Sequence, residues 1–155
     1  MQTTVSLTVS ECKRLIAKAV VRHPGVQRAL QQGTVAVAPG TTNGYVVEEL
    51  TGERIDKTQF VTGRTLPKAY AGPKLNYKAP DLVLRKGERV ECSAVEAAAD
   101  MQAGDVFIKG ANALNYDLDQ AGVLIGHPTG GTVGAVLGTL IARRVTMLLP
   151  VGLEK

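Results

Sequence analysis

Tryptophan is absent from this chain, and aromatic residues are limited to 2 phenylalanines and 4 tyrosines. With no aromatic interleaving among its basic residues, the chain lacks a base-stacking surface, and no nucleic-acid partner is expected. Cysteine is scarce as well. Cys12 and Cys92 stand far apart, without the Cys-x-x-Cys spacing of a metal knuckle or redox pair. Both read as small buried hydrophobes, Cys12 on the apolar face of a helix. No apolar run approaches the roughly 20 residues a bilayer span requires. The opening MQTTVSLTVSECKR lacks the charged start and apolar stretch of a secretory signal. A cytoplasmic protein without a membrane partner is therefore expected. The chain also lacks a Walker pattern and a strand-to-helix Gly-x-Gly-x-x-Gly fingerprint, which disfavours an ATPase or an NAD enzyme. Neither a metal site nor a cofactor is expected.

What is present fits one globular domain spanning residues 1–155, with 45% apolar and 21% charged residues. The net charge of +4 is unevenly placed. Residues 54–89 hold nine Lys and Arg against Asp56, Asp81 and Glu88. Such a segment reads as a field attracting small anions or as a solvated loop.

Local signals divide the chain. Thr8 and Glu11 have capping-box spacing ahead of Cys12, Leu15, Ile16, Ala19 and Val20, which predicts a helix from about Val9. Pro24 interrupts it, with His23 as a helix C-terminal residue, and a second helix follows until Gly33. TVAVA (34–38) and DVFIK (105–109) are expected strands, as are QFVTGR (59–64), VLIG (123–126) and VTMLLPV (145–151). DLVLRKGERVE reads as strand, turn and short extended piece, and Ser93 and Glu96 as a second capping box. A helix after residue 130 is expected to face the core with Val133, Val136, Leu137, Leu140 and Ile141. Alternating strands and helices predict a Rossmann-like α/β fold, an open and mainly parallel sheet with helices on both faces. The chain stops just after a strand, so the expectation is either a covering partner, and with it a homo-oligomer, or a longer natural protein.

Three glycine loops follow expected strands. The first holds Gly40, Thr41, Thr42, Asn43 and Gly44; the second Gly110, Ala111 and Asn112; the third Thr129, Gly130, Gly131 and Thr132. In an open parallel sheet such loops converge outside the carboxyl ends of the strands, and backbone N–H groups at helix starts favour anions. A small anionic metabolite is the expected partner. Lys109 is a candidate anion partner or Schiff-base amine, and His127 is the candidate imidazole base. Arg64 is a weaker anion contact.

Gly40-Thr41-Thr42-Asn43-Gly44-Tyr45-Val46-Val47-Glu48-Glu49-Leu50 resembles the Gly-Thr-Gly-Ser-Thr loop and helix of ribose-5-phosphate isomerases. Asp105 to Asn112 is similar to the strand and Asp-Gly-Ala-Asp-Glu loop of those enzymes, and to the Gly-Ala-Asp segment of initiation-factor regulatory subunits and methylthioribose-phosphate isomerases. Gly126 to Gly134 stands where that superfamily, which includes CoA transferases, has a third loop. The resemblance implies a phosphosugar-isomerase-like or transferase-like fold with sugar-phosphate contacts from the first loop. Lys109, Asn112 and Ala113 replace its three acids, and an amide cannot serve as the isomerase base. The implied function is metabolite binding with isomerase-like or transferase-like chemistry, or a non-catalytic sensing or regulatory assembly domain.

Overall fold

The computed structural model describes residues 3–62, 69 and 79–155. Helix α1 runs Val9–Arg22, opened by the expected capping box: Glu11 N–H donates to Thr8 Oγ1 at 3.3 Å and Thr8 N–H to Glu11 Oε2 at 2.7 Å. Its buried side differs from the expected one. Ala17 is fully buried, while Leu15 and Ala19 are exposed and Cys12 is half-buried. Arg14 turns toward the rest of the protein and pairs with two glutamates of a later helix. Helix α2 (Pro24–Gln32) starts at once, because His23 ends α1 and its Nδ1 accepts the Gly25 N–H at 3.1 Å.

Strand β1 (Thr34–Val37), helix α3 (Asn43–Thr51), the hairpin β2 (Leu82–Arg85) and β3 (Glu88–Arg89), and helix α4 (Ala94–Ala98) follow. Lys86 (φ 50) and Gly87 (φ 82) make the two-residue hairpin turn, both left-handed as the twist of paired strands requires. Then come β4 (Val106–Ile108), a small hairpin of β5 (Ala113–Asn115) and β6 (Gln120–Gly122), helix α5 (Gly131–Ala142) and β7 (Thr146–Leu148).

The main sheet has five strands in the order β3-β2-β1-β4-β7. Only β1–β4 and β4–β7 are parallel; β1–β2 and β2–β3 are antiparallel. The sheet is thus mixed rather than mainly parallel, because the β2–β3 hairpin returns along β1 instead of crossing over. Helices do cover both faces. Val35, Val37, Leu82, Leu84, Val106 and Ile108 share one apolar cluster with α1, α2 and α3. The alternate residues Ala36, Val83 and Phe107 share another with α4 and α5. Coverage on both sides explains why these strands read as unbroken apolar runs.

Three further expectations fail, the last in its described part. Residues 123–126 form no strand, and Leu124 and Ile125 are exposed. Along α5 only Val136 and Leu140 are buried; Leu137 and Ile141 stand exposed. Val136 and Leu140 join the apolar cluster shared by α4 and the sheet, and the outer part of the stripe stays uncovered. Residues 59–62 of the expected QFVTGR strand form a turn and bend, and the rest, with Arg64, lies outside the described residues. Among the described residues no helix is long and apolar enough to cross a membrane.

At the amino ends of the central pair, Asp105 accepts the N–H groups of Thr34 and Gln102, each at 2.7 Å. This carboxylate staples the start of β1 to the start of β4.

Candidate functional site

Val37 of β1 and Ile108 of β4 are paired in register, so the loops leaving these parallel strands emerge side by side. After β1 the chain enters α3 on one face; after β4 it reaches α5 on the other. That divergence opens a crevice beyond the carboxyl ends of the strands, the position where open α/β sheets take ligands. A cleft of about 580 Å³ occupies it.

All three glycine loops reach this cleft. Gly40, Thr41 and Thr42 line it from the first, Gly110, Ala111 and Asn112 from the second, and Gly130, Gly131 and Thr132 from the third, with Lys109 and His127 between them. The third loop arrives by an unexpected route. It follows the β5–β6 hairpin, which Asn112 holds in place: its N–H donates to Gly122 O at 2.8 Å and its Oδ1 accepts the Leu124 N–H at 3.0 Å.

Asn43, Gly44 and Thr129 do not line the cleft. Asn43 is fully buried, and its Nδ2 donates to Ala38 O at 2.8 Å and Ile108 O at 3.4 Å, tying together the carboxyl ends of β1 and β4. Two carbonyl acceptors fix the orientation of that amide, and they leave Asn43 Oδ1 buried without a partner among the described residues. Gly44 faces the aliphatic chain of Lys57, where a Cβ would stand 2.8 Å from Lys57 Cγ. Thr129 serves His127: its backbone N–H donates to His127 Nδ1 at 3.2 Å, and its Oγ1 lies 2.9 Å from the same nitrogen. With Nδ1 accepting, the neutral ring carries its proton on Nε2. In that tautomer His127 offers an N–H donor at Nε2.

The electrostatics favour anions. Neither α3 nor α5 has a side-chain hydrogen bond at its N-cap, which leaves the start of α5 open. At α3 the Gly44 and Tyr45 N–H groups already donate to Gly40 O at 2.9 Å and Thr42 O at 3.0 Å, so on that side the positive end of the dipole reaches the cleft through the Thr41–Thr42 turn ahead of the helix. Gly130 (φ 83) and Gly131 (φ 56) enter α5 in the left-handed region, which needs residues without a Cβ and leaves the helix start bare. Among the described residues lining the cleft there is no Asp or Glu side chain. Lys109 is half-buried, its Nζ donating to Gly110 O at 3.2 Å, and burial pushes its ammonium below the ordinary lysine range.

No protein-family model, curated protein or solved structure matches this chain. The resemblance to the isomerase and transferase superfamily accordingly rests on the loop residues alone.

Several lining residues had no signal in the sequence. Val61, Thr62, the 123–125 segment and Lys155 join the cleft only because the chain folds back past it. The basic segment, by contrast, contributes little in its described part. Lys57 pairs with Glu48, Arg85 with Asp100 and Arg89 with Glu91, and none of these cations lines the cleft.

Proposed function

We propose that this chain binds a small phosphorylated or carboxylated metabolite in the cleft between β1 and β4. The observation that carries the reading is the convergence of two helix N-termini without side-chain caps and Lys109 on a crevice lined by no Asp or Glu side chain among the described residues, at the point where the sheet connections diverge. The anionic group sits against the starts of α3 and α5, and Lys109 supplies the neutralising charge. Kinship with the phosphosugar-isomerase and CoA-transferase superfamily, and a Rossmann-like ancestry for the sheet, belong to the same proposal on the strength of the loop motifs. So does a homo-oligomer, on the exposed Leu137 and Ile141 of α5 and the open edge of β7.

A thermal-shift series with inorganic phosphate, sugar phosphates, CoA esters and dicarboxylates tests it. A ligand at 100 times its dissociation constant stabilises the fold by about 2.7 kcal/mol. The expected result is a rise in Tm with at least one of these anions that Lys109→Met weakens. No rise with any of them overturns the reading.

A second reading is a non-catalytic sensing or regulatory assembly domain. The missing carboxylate and the engagement of His127 Nδ1 by Thr129 favour it. It predicts ligand-dependent stabilisation or assembly without turnover of the bound compound.

A further inference from the structure

Among the described residues the part-buried cations fall into two kinds, those that end on carboxylates and those that do not. Lys13, whose Nζ donates to Thr41 Oγ1 at 3.2 Å, and Lys109 are of the second kind. Arg14 ends on Glu48 and Glu49, and Lys57 ends on Glu48 at 2.5 Å. Lys109 has no such counter-charge among the described residues: its amine donates to the Gly110 carbonyl, and no acidic side chain lines the space it faces. Two further positive ends, the starts of α3 and α5, border the same cleft. Desolvation without a carboxylate, beside like partial charge, disfavours the ammonium and so increases the share of nucleophilic free amine.

A simple anion site needs only the charged form of Lys109. A cleft that gathers anion donors while disfavouring that charge suits a ligand with two functions. We infer that Lys109 Nζ forms an imine with a phosphorylated or carboxylated aldehyde or ketone whose anionic group rests on the helix N-termini. This inference stands on the anion-binding reading above.

The chemistry balances without a redox partner. The Nζ lone pair attacks the carbonyl carbon, and the oxygen takes up a proton to give a carbinolamine. Nitrogen then loses a proton, the hydroxyl is protonated and leaves as water, and the C=N bond forms as an iminium that gives up its remaining N–H proton. The net change is amine plus carbonyl to imine plus water. His127 lines the cleft, and with Nδ1 accepting from Thr129 its Nε2–H can hydrogen-bond the carbinolamine oxygen, while the proton for the departing hydroxyl comes from solvent.

Pyridoxal 5′-phosphate, an anionic aldehyde, is the probe. Incubated below stoichiometry and reduced with borohydride, the wild-type protein should carry the adduct at Lys109, at a yield about tenfold or more above any other lysine by peptide mass spectrometry. Inorganic phosphate should compete with it, and pyridoxal without the phosphate should label less. Labelling at Lys109 should also saturate at a lower pH than at surface lysines. Lys109→Arg keeps the charge but cannot form an imine, so it should still gain stability from phosphate while losing the dominant adduct. If phosphate stabilises the protein but the adduct spreads evenly over the lysines, the imine inference falls and the anion reading stands. If neither phosphate nor the probe binds, both fall.

Discussion

Glu48 shows how one side chain can hold two elements together. It is buried in α3 and meets Lys57 at 2.5 Å, the Ile55 N–H at 3.2 Å, and Arg14 from α1. Arg14 and Lys57 also each lie 4.8 Å from the centre of the Tyr45 ring. Burial by itself would raise the Glu48 carboxyl, but the hydrogen bonds from Lys57, Arg14 and Ile55 outweigh it and hold the group at about 2, against an ordinary 4.5. A depression of that size corresponds to about 3 kcal/mol of stability. Because the folded value lies below the unfolded one, that stability is complete above pH 4.5 and drains away as pH falls toward 2. Glu48→Gln should therefore lower the free energy of unfolding by about 3 kcal/mol near neutrality. Urea titrations at several pH values should show the gap to wild type closing in acid, and a gap independent of pH would refute the account. Nothing in the sequence announced this cluster, since Arg14, Glu48 and Lys57 are brought together by packing of α1 on α3.

At the scale of elements, α5 separates what a pattern can and cannot say. Its apolar period was legible, as was its start after the glycines, because both depend on neighbours in the chain. Which part of the stripe would be covered was not, since that depends on what packs against the helix. Truncating Val136 or Leu140 to Ala should cost about 1–4 kcal/mol, whereas Leu137→Ala and Ile141→Ala should stay within about 0.5 kcal/mol. The glycines of this helix differ in the same way. A Cβ on Gly134 would collide with the carbonyl oxygen of Thr129, while one on Gly138 meets nothing within 4 Å. Gly138→Ala should stabilise the protein by about 0.5–1 kcal/mol through helix propensity, and Gly134→Ala should destabilise it by about 1–3 kcal/mol. Thermal melts of these variants check both signs. The capping boxes of α1 and α4 formed as expected for the complementary reason: each needs only residues three apart.

For the whole molecule, the joint between β1 and β4 matters most. It is the parallel contact that links the antiparallel hairpin side of the sheet to β7, and the cleft lies at its carboxyl end. Asp105 fastens it at one end and Asn43 at the other. Asp105→Ala leaves the Thr34 and Gln102 N–H groups without their acceptor and should lower stability by about 2–4 kcal/mol. Both halves of the sheet depend on this joint, so urea unfolding should remain one transition at a lower midpoint, and separate transitions would show the halves to be independent.

The helices, most of the strands, the α/β class and the glycine loops that meet at the cleft were all legible from local patterns along the chain. Those features follow from short-range sterics, capping and periodicity, which neighbouring residues settle among themselves. Long-range packing settled that the sheet is mixed, that a hairpin delivers the third loop, and that Asn43, Gly44 and Thr129 support the site from outside. It also decided that Lys109 stands without a carboxylate beside two helix starts. Strand pairing and counter-charge are long-range matters, set by which distant segments lose their contact with water together.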